Sequence, residues 1–291
     1  MLPWEMIYPR ISEVKPLVQC ITNIVTAGDC ANALLAVGAS PTMAHAAGEA
    51  AEVAAGCDAL VCNLGATADF KAMRRASVVN LRLGHPVVLD PVGAGGSGLR
   101  RRFAGKLLAG GAVTCVRGNA SEIRALVQGR STVTGVDARE DISMEERISL
   151  AGELAARHGV LVVLSGETDV VTDGTECFLV ANGSAYMTRI TGCGCMASAL
   201  LGAYFAAVKK LGMGTWVSQQ EAGKNPQAPY NPDLMAAAEL MSVFGICGEL
   251  AQERTETAGG GTMNFHFNLM DELSRLNENI IQKRENIKKL K

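Results

Sequence analysis

Neither sign of charge dominates this chain of 291 residues, in which 27 Lys and Arg oppose 29 Asp and Glu for a formal net charge of -2. The basic residues are scattered, apart from Arg100-Arg101-Arg102 and a Lys/Arg-rich C-terminal end. No extended basic face meets a polyanionic backbone, so nucleic acid is not an expected partner. No window approaches the roughly eighteen consecutive apolar residues of a membrane span, and no signal-peptide pattern opens the chain. No membrane partner is expected either. The nine cysteines include no Cys-x-x-Cys pair and no regular framework, which excludes a disulfide scaffold and reads as reduced thiols in a cytoplasmic protein. Histidine is scarce. His158 and His266 lie far from Cys193 and Cys195 and at no zinc spacing, while His45 and His85 belong to no triad pattern. A Gly-x-Ser-x-Gly elbow is also missing, so serine hydrolysis has no support.

What the chain does have is 48% hydrophobic residues, 32 glycines and only 4% aromatics. That balance fits an α/β enzyme with many tight strand-to-helix turns, and the length suits one large domain over 1–291. Short apolar runs at 16–22, 59–62, 86–89, 112–116 and 160–164 each end in a polar or glycine-bearing turn. Such runs describe parallel strands buried on both faces. Helical patterns at 27–37, 48–55, 71–83, 100–108, 121–127 and 143–157 separate them, after an N-terminal helix over 4–14. Gly38 and Pro41 break the helical pattern over 38–43. Segments 169–172, 177–180 and 184–187, joined by Asp173-Gly174 and Asn182-Gly183, predict an antiparallel edge of hairpins. Residues 212–232 are expected to form a mobile loop or insertion, and 280–291 a polar, solvated helix end.

Polar residues recur where the predicted parallel strands end: Asn23, Asn63, Asp90, Arg117 with Asn119, and Ser165. In open parallel sheets that edge binds ligands. Asp90 and Glu122 could hold Mg2+, which prefers oxygen ligands, and Arg117 could neutralise phosphate. At 189–200 a glycine-flanked turn runs into a long apolar helix. Its first amides have no intrahelical partners and carry the positive end of the macrodipole, so Gly192 and Gly194 would leave an anion site unshielded. Cys195 falls in that first turn, where its pKa is expected to drop below about 8.5. A competing pattern is Gly93-Ala-Gly95-Gly-Ser-Gly98, which fits the dinucleotide fingerprint. Asp90-Pro91 puts a carboxylate in front of it, where a pyrophosphate would be repelled.

Six ordered stretches together resemble the hydroxyethylthiazole kinase family: Gln19-Cys-Ile-Thr-Asn23, Gly38-Ala-Ser-Pro-Thr-Met43, Leu89-Asp-Pro-Val-Gly-Ala-Gly95, Arg117-Gly-Asn-Ala-Ser-Glu122, Ser165-Gly-Glu-Thr-Asp169 and Thr191-Gly-Cys-Gly-Cys195. The resemblance spans 16–273. It implies a ribokinase-like three-layer α/β/α fold with a mostly parallel sheet and a small antiparallel edge. It also implies transfer of the ATP γ-phosphate to the hydroxyl of 4-methyl-5-(2-hydroxyethyl)thiazole, a step toward thiamine. Met43, Gly192 and Asn23 would then meet the thiazole, Arg117, Ser165 and Asn119 the ATP, and Asp90 and Glu122 the Mg2+. The Gly194 amide would cradle the phosphoryl group and Cys195 would accept the hydroxyl proton. A homotrimer with active sites at its interfaces is implied as well. Two positions depart from the pattern: Ser165 stands where threonine is frequent, and Cys193 where a small residue or threonine is usual. Within the same fold, a kinase for another small alcohol such as hydroxymethylpyrimidine, or a nucleotide-hydrate repair enzyme, is the alternative. From another class, the alternative is a silent nucleotide- or thiazole-binding protein.

Overall fold

A computed structural model describes residues 6–130, 142–213 and 231–290. The apolar runs become β1 (Leu17–Ile21), β2 (Ser40–Thr42), β3 (Ala59–Asn63), β4 (Val87–Asp90), β5 (Cys115–Asn119), β6 (Leu161–Ser165), β7 (Asp169–Thr172), β8 (Cys177–Val180) and β9 (Ile287–Lys289). They form one sheet in the order β2-β1-β3-β4-β5-β6-β7-β8-β9. The first six are parallel, and β7, β8 and β9 continue antiparallel. The helices are α1 (Tyr8–Val14), α2 (Ala27–Ala36), α3 (Ala50–Ala55), α4 (Phe70–Leu83), α5 (Gly98–Ala109), α6 (Ala120–Gln128), α7 (Met144–His158), α8 (Cys193–Lys210), α9 (Pro232–Thr257), α10 (Thr262–Arg275) and α11 (Glu278–Arg284).

Side chains alternate between the two faces of a strand, and each face of this sheet carries its own apolar core. Val18, Cys20, Val61 and Val88 pack with α1, α2 and α8 to α10. Leu60, Cys62, Leu89 and Val116 pack with α3 to α7. The result is the expected three-layer α/β/α arrangement. By length and composition α9 would pass for a membrane span, yet 89% of its most apolar window is buried inside the fold. It is a core helix.

Departures from the expected elements concentrate at the sheet edges and chain ends. Of the helix expected over 4–14, residues 4 and 5 lie outside the described residues and the helix is formed over Tyr8–Val14, with Pro9 in its first turn, where a missing N–H is harmless. Buried Glu239 accepts the Ile7 and Tyr8 amides there. Segment 38–43 is more than a break. Gly38 at φ 84 comes so close to α1 that a Cβ would lie 2.7 Å from Ser12 Cβ, and the chain then forms edge strand β2. Pro41 is tolerated there because an edge strand leaves one row of amides unpaired. The piece at 184–187 is no strand: Ser184 Oγ accepts the Tyr186 amide and starts a 3-10 turn over Ala185–Arg189. The outer antiparallel strand is β9 instead, so the polar end expected to be a helix tail is half helix and half strand. Asn286 N–H donates to Asn182 Oδ1 just before β9, turning the chain toward β8. Most of the loop expected over 212–232 lies outside the described residues.

Candidate active site

The carboxyl ends of β1, β3, β4, β5 and β6 face the N-terminus of α8, and the loop between the 3-10 turn at 185–189 and α8 is made possible by Gly192. At φ 94 this residue is the N-cap of α8, and a Cβ there would be 3.1 Å from Thr26 Cγ2. The first intrahelical bond runs from Met196 N–H to the Gly192 carbonyl. Amides 193–195 therefore have no intrahelical acceptor, and they carry the positive end of an eighteen-residue helix.

Over this turn lies a cation. A Cβ on Gly194 would run into the Arg117 guanidinium. Arg117 Nη2 donates to Ser165 Oγ at 2.8 Å, and its buried Nε has no acceptor. A guanidinium beside a helix N-terminus is electrostatically unfavourable by itself. An anion between them would relieve both.

Cys195 is the end of a polar chain that runs down to Asp90. Asn63 Nδ2 donates to Cys195 Sγ at 3.1 Å and to Asp90 Oδ2 at 3.0 Å. Asn63 Oδ1 accepts from Gly65 N–H at 2.9 Å and Asn23 Nδ2 at 3.3 Å, and these two donors settle which way the amide points. Asn23 Nδ2 also reaches Sγ at 3.5 Å. Ser198 Oγ donates to Asp90 Oδ2 at 2.8 Å, while Asp90 Oδ1 is buried with no partner.

The electrostatics correct one expectation. The Cys195 thiol is pushed up, not down, first by burial and then by the Asp90 carboxylate; Thr26, Arg117 and Asn23 oppose this. Exposure to a helix end lowers a thiol pKa only where the thiolate is otherwise well solvated. Burial likewise raises Asp90, against Arg117, Ser198 and Asn63. Glu122 rises to about 7 through burial and the charge of Asp90.

Glu122 is held rigidly. Its Oε1 accepts from Gly93 N–H and its Oε2 from Asn119 N–H, both at 2.9 Å, while Asn119 Oδ1 accepts the Glu122 amide. This is a capping box at the start of α6. It gives Asn119 a structural task, whatever else it contacts. It also disposes of the dinucleotide fingerprint: the Gly93 amide is taken by a carboxylate, and Arg101 Nη1 occupies the Ala94 and Gly95 carbonyls.

Of the residues singled out in the sequence, Asn23, Asp90, Arg117, Ser165, Gly192, Gly194 and Cys195 are brought together. Glu122 stands behind the 91–93 turn, and the charge of Asp90 acts on it. Met43 is half-buried against the core beyond β2, in a segment pinned by Gln19 Nε2 donating to the Ala44 carbonyl at 2.9 Å. Two partners were not given a role from sequence. Asn63 was visible only as one more strand-end amide. Ser198 had a signal, being a hydroxyl one helical turn beyond Gly194 in an otherwise apolar helix.

This arrangement of strand ends against a glycine-capped helix defines a phosphotransferase of the ribokinase-like class. The pyridoxal kinase of Staphylococcus aureus, solved with ADP, shows the same fold at 17% identity and TM-score 0.53 over 79% of this chain and 87% of that one. The chain belongs to the hydroxyethylthiazole kinase family, whose model matches residues 9–222. A hydroxyethylthiazole kinase of Leptospira biflexa is 40% identical over 276 residues, covering 94% of this chain and 93% of the relative. The solved hydroxyethylthiazole kinase protein from Pyrococcus horikoshii superposes with TM-score 0.78 at 34% identity, over 98% of this chain and 99% of that one.

Proposed function

We infer that this chain transfers the γ-phosphoryl group of ATP to the hydroxyl of 4-methyl-5-(2-hydroxyethyl)thiazole, a salvage step toward thiamine. The observation that carries the reading is the uncapped N-terminus of α8 lying directly under Arg117. Full-length relatives named for this alcohol favour it over a pyrimidine alcohol.

Phosphoryl transfer passes through a loose transition state, so charge stabilisation and alignment outweigh base strength. Amides 193–195 would receive the transferring phosphoryl oxygens, and Arg117, steadied by Ser165, would lie along the phosphates. Asn23, Met43 and the Gly192 turn would hold the thiazole so that its hydroxyl approaches Cys195. Two buried acids, of which Asp90 raises the pKa of Glu122 and has an orphaned oxygen, fit a divalent cation. Asp90 and Glu122 would hold Mg2+, which neutralises phosphate charge when bound. Among the described residues no group of three or more His, Cys, Asp or Glu is arranged to hold a metal ion. Phosphate oxygens and water would have to supply the remaining ligands, as Mg2+ commonly requires.

Assembly as a homotrimer with sites at its interfaces belongs to the same reading. Ile24 and Val25, 94% and 70% exposed, follow Asn23 directly, and Met263 and Phe267 are exposed on α10, which packs on α2. Large apolar side chains at the mouth of a site support a covering neighbour. All nine cysteines are free thiols, which supports a cytoplasmic setting.

A coupled ADP-release assay comparing the thiazole alcohol with hydroxymethylpyrimidine tests the activity. Turnover is expected with the thiazole. Turnover only with the pyrimidine would reassign the substrate, and nucleotide binding without turnover on either would point to a binding protein.

Cys195 supplies a first prediction. Only the small thiolate fraction present at neutral pH can take the hydroxyl proton, so Cys195 contributes modestly there. Cys195→Ser is expected to lower kcat by about a hundredfold, the low end of what positioned proton acceptors contribute. Cys195→Asp should remain active, because it places a proton acceptor at the same point. Wild-type kcat should climb as pH rises from neutral toward the raised thiol pKa, and Cys195→Ser should lose that climb. A pH–rate profile with the same alkaline limb in both proteins would remove Cys195 from the proton path.

A further inference from the structure

Behind Ser165 stands a further buried carboxylate that the reaction described above does not use. Asp169, the first residue of β7, is 6% exposed. Its Oδ1 accepts the Gly166 amide at 2.8 Å, closing the turn that joins β6 to β7. On the other side, the guanidinium of Arg147 from α7 lies so close over Gly166 that a Cβ there would overlap it. Arg147 is half-buried, and its Nε and Nη2 are shielded from water without an acceptor. Ser165, at the head of this turn, pairs with Asn119 across the sheet, accepts from Arg117 Nη2 and donates to the Gly118 carbonyl at 3.3 Å. Two arginines from different elements thus converge on five residues of turn, with one buried carboxylate, Asp169, inside it.

We propose that Arg147 and Asp169 are positioning residues for the nucleotide: they hold the turn over 165–169, and through it the Ser165 hydroxyl and the Arg117 guanidinium, in the arrangement that receives the ATP phosphates. The inference rests on the reading of Ser165 and Arg117 as the nucleotide end of the site. Gly166 is required because any side chain would displace Arg147. When ionised, Asp169 accepts the Gly166 amide in a charge-assisted bond and balances two guanidinium groups. Burial pushes its pKa up to about 6, while the Gly166 amide, Arg117 and Arg147 hold it down. Burial lowers the Arg147 pKa, and Asp169 and Glu167 oppose it by favouring the charged form. Removing Arg147 therefore raises Asp169 further, and protonation toward neutral pH replaces its charge-assisted bond to the Gly166 amide by a weaker neutral one.

The test is ADP binding by calorimetry to the full-length wild type and to Arg147→Met, which keeps an apolar stem on the turn. Arg147→Met should bind ADP about tenfold more weakly near pH 7, the loss typical of a charge-assisted contact. Part of that loss should return by about pH 8.5, as Asp169 ionises again. Arg147→Lys should recover most of the affinity at every pH. KM for the thiazole alcohol should stay within about twofold while KM for ATP rises in step with the ADP constant. Unchanged ADP affinity in Arg147→Met, a loss independent of pH, or an equal rise in both KM values would overturn the proposal. A wild type that binds no ADP would instead overturn the underlying reading, so the two failures are distinct.

Discussion

Gly194→Val is expected to lower kcat/KM for ATP by about a thousandfold, the loss seen when a preorganised oxyanion donor is removed. The direction follows from what occupies the space above this residue. A Cβ at Gly194 would already overlap the Arg117 guanidinium, and valine adds two methyl groups to that position. Arg117 would have to leave Ser165 Oγ, to which it donates at 2.8 Å, and the amides would be covered against phosphate. By transition-state arithmetic a thousandfold is about 4 kcal/mol, more than a single ordinary hydrogen bond contributes. The loss is large because one side chain removes both the amide cradle and the cation above it. The fold should not suffer. Gly194 is not held at positive φ, and within a helix valine is favoured over glycine by a few tenths of a kcal/mol. The variant should therefore melt no lower than wild type while failing to bind ATP. Gly194→Ala, with only the Cβ, should fall between them. Full ATP affinity in Gly194→Val would show that the anion site lies elsewhere.

The parallel core of the fold was legible because strands buried on both faces are continuous apolar runs, and because each ends in a polar turn. Edge strands obey the opposite rule. β2 carries Pro41 and β9 carries Lys288 and Lys289, residues that protect an unpaired edge and at the same time hide it from a hydrophobic pattern. The anion site was legible for a local reason: two glycines before an apolar helix make a bare N-terminus wherever the rest of the chain goes. The state of Cys195 was not, since its sign depends first on burial and then on Asp90, both of which only the fold supplies. Local sequence spoke for the helix end; burial and a distant carboxylate outweigh it. Asn63 and Ser198 illustrate the same limit. Each is an ordinary polar residue until Asp90 Oδ2 is placed between their donors. Glu122 was read as a metal ligand from its type and place, whereas its capping box with Asn119 became visible only with the backbone of α6.

Asp90→Asn should separate function from stability. Two donors, Asn63 Nδ2 and Ser198 Oγ, already meet Oδ2, so an asparagine is forced to turn its carbonyl oxygen toward them and its NH2 into the place of Oδ1. That oxygen is the buried atom without a partner. The substitution thus replaces the free acceptor of the site by a donor and removes a charge suited to a divalent cation. A fall in kcat of about a thousandfold or more is expected, because charge stabilisation is the main contribution to phosphoryl transfer. Stability should move the other way. Burial holds the Asp90 pKa above its ordinary value, so the folded protein retains a proton that the unfolded chain releases, and stability falls as pH rises through the folded pKa. Asparagine has no such loss. Without Mg2+, the variant should melt higher than wild type at neutral pH, with the difference shrinking as the pH is taken down toward the ordinary aspartate pKa. Adding Mg2+ with ADP should raise the melting temperature of wild type more than that of the variant, since a ligand stabilises the state that binds it. Glu122, raised to about 7, contributes a second loss of the same sign between the ordinary glutamate range and neutrality. That component should persist in Asp90→Asn but be smaller and end at lower pH, because the charge of Asp90 is part of what raises Glu122. Equal Mg2+-ADP shifts in the two proteins, or turnover near the wild-type rate, would remove Asp90 from the cation site.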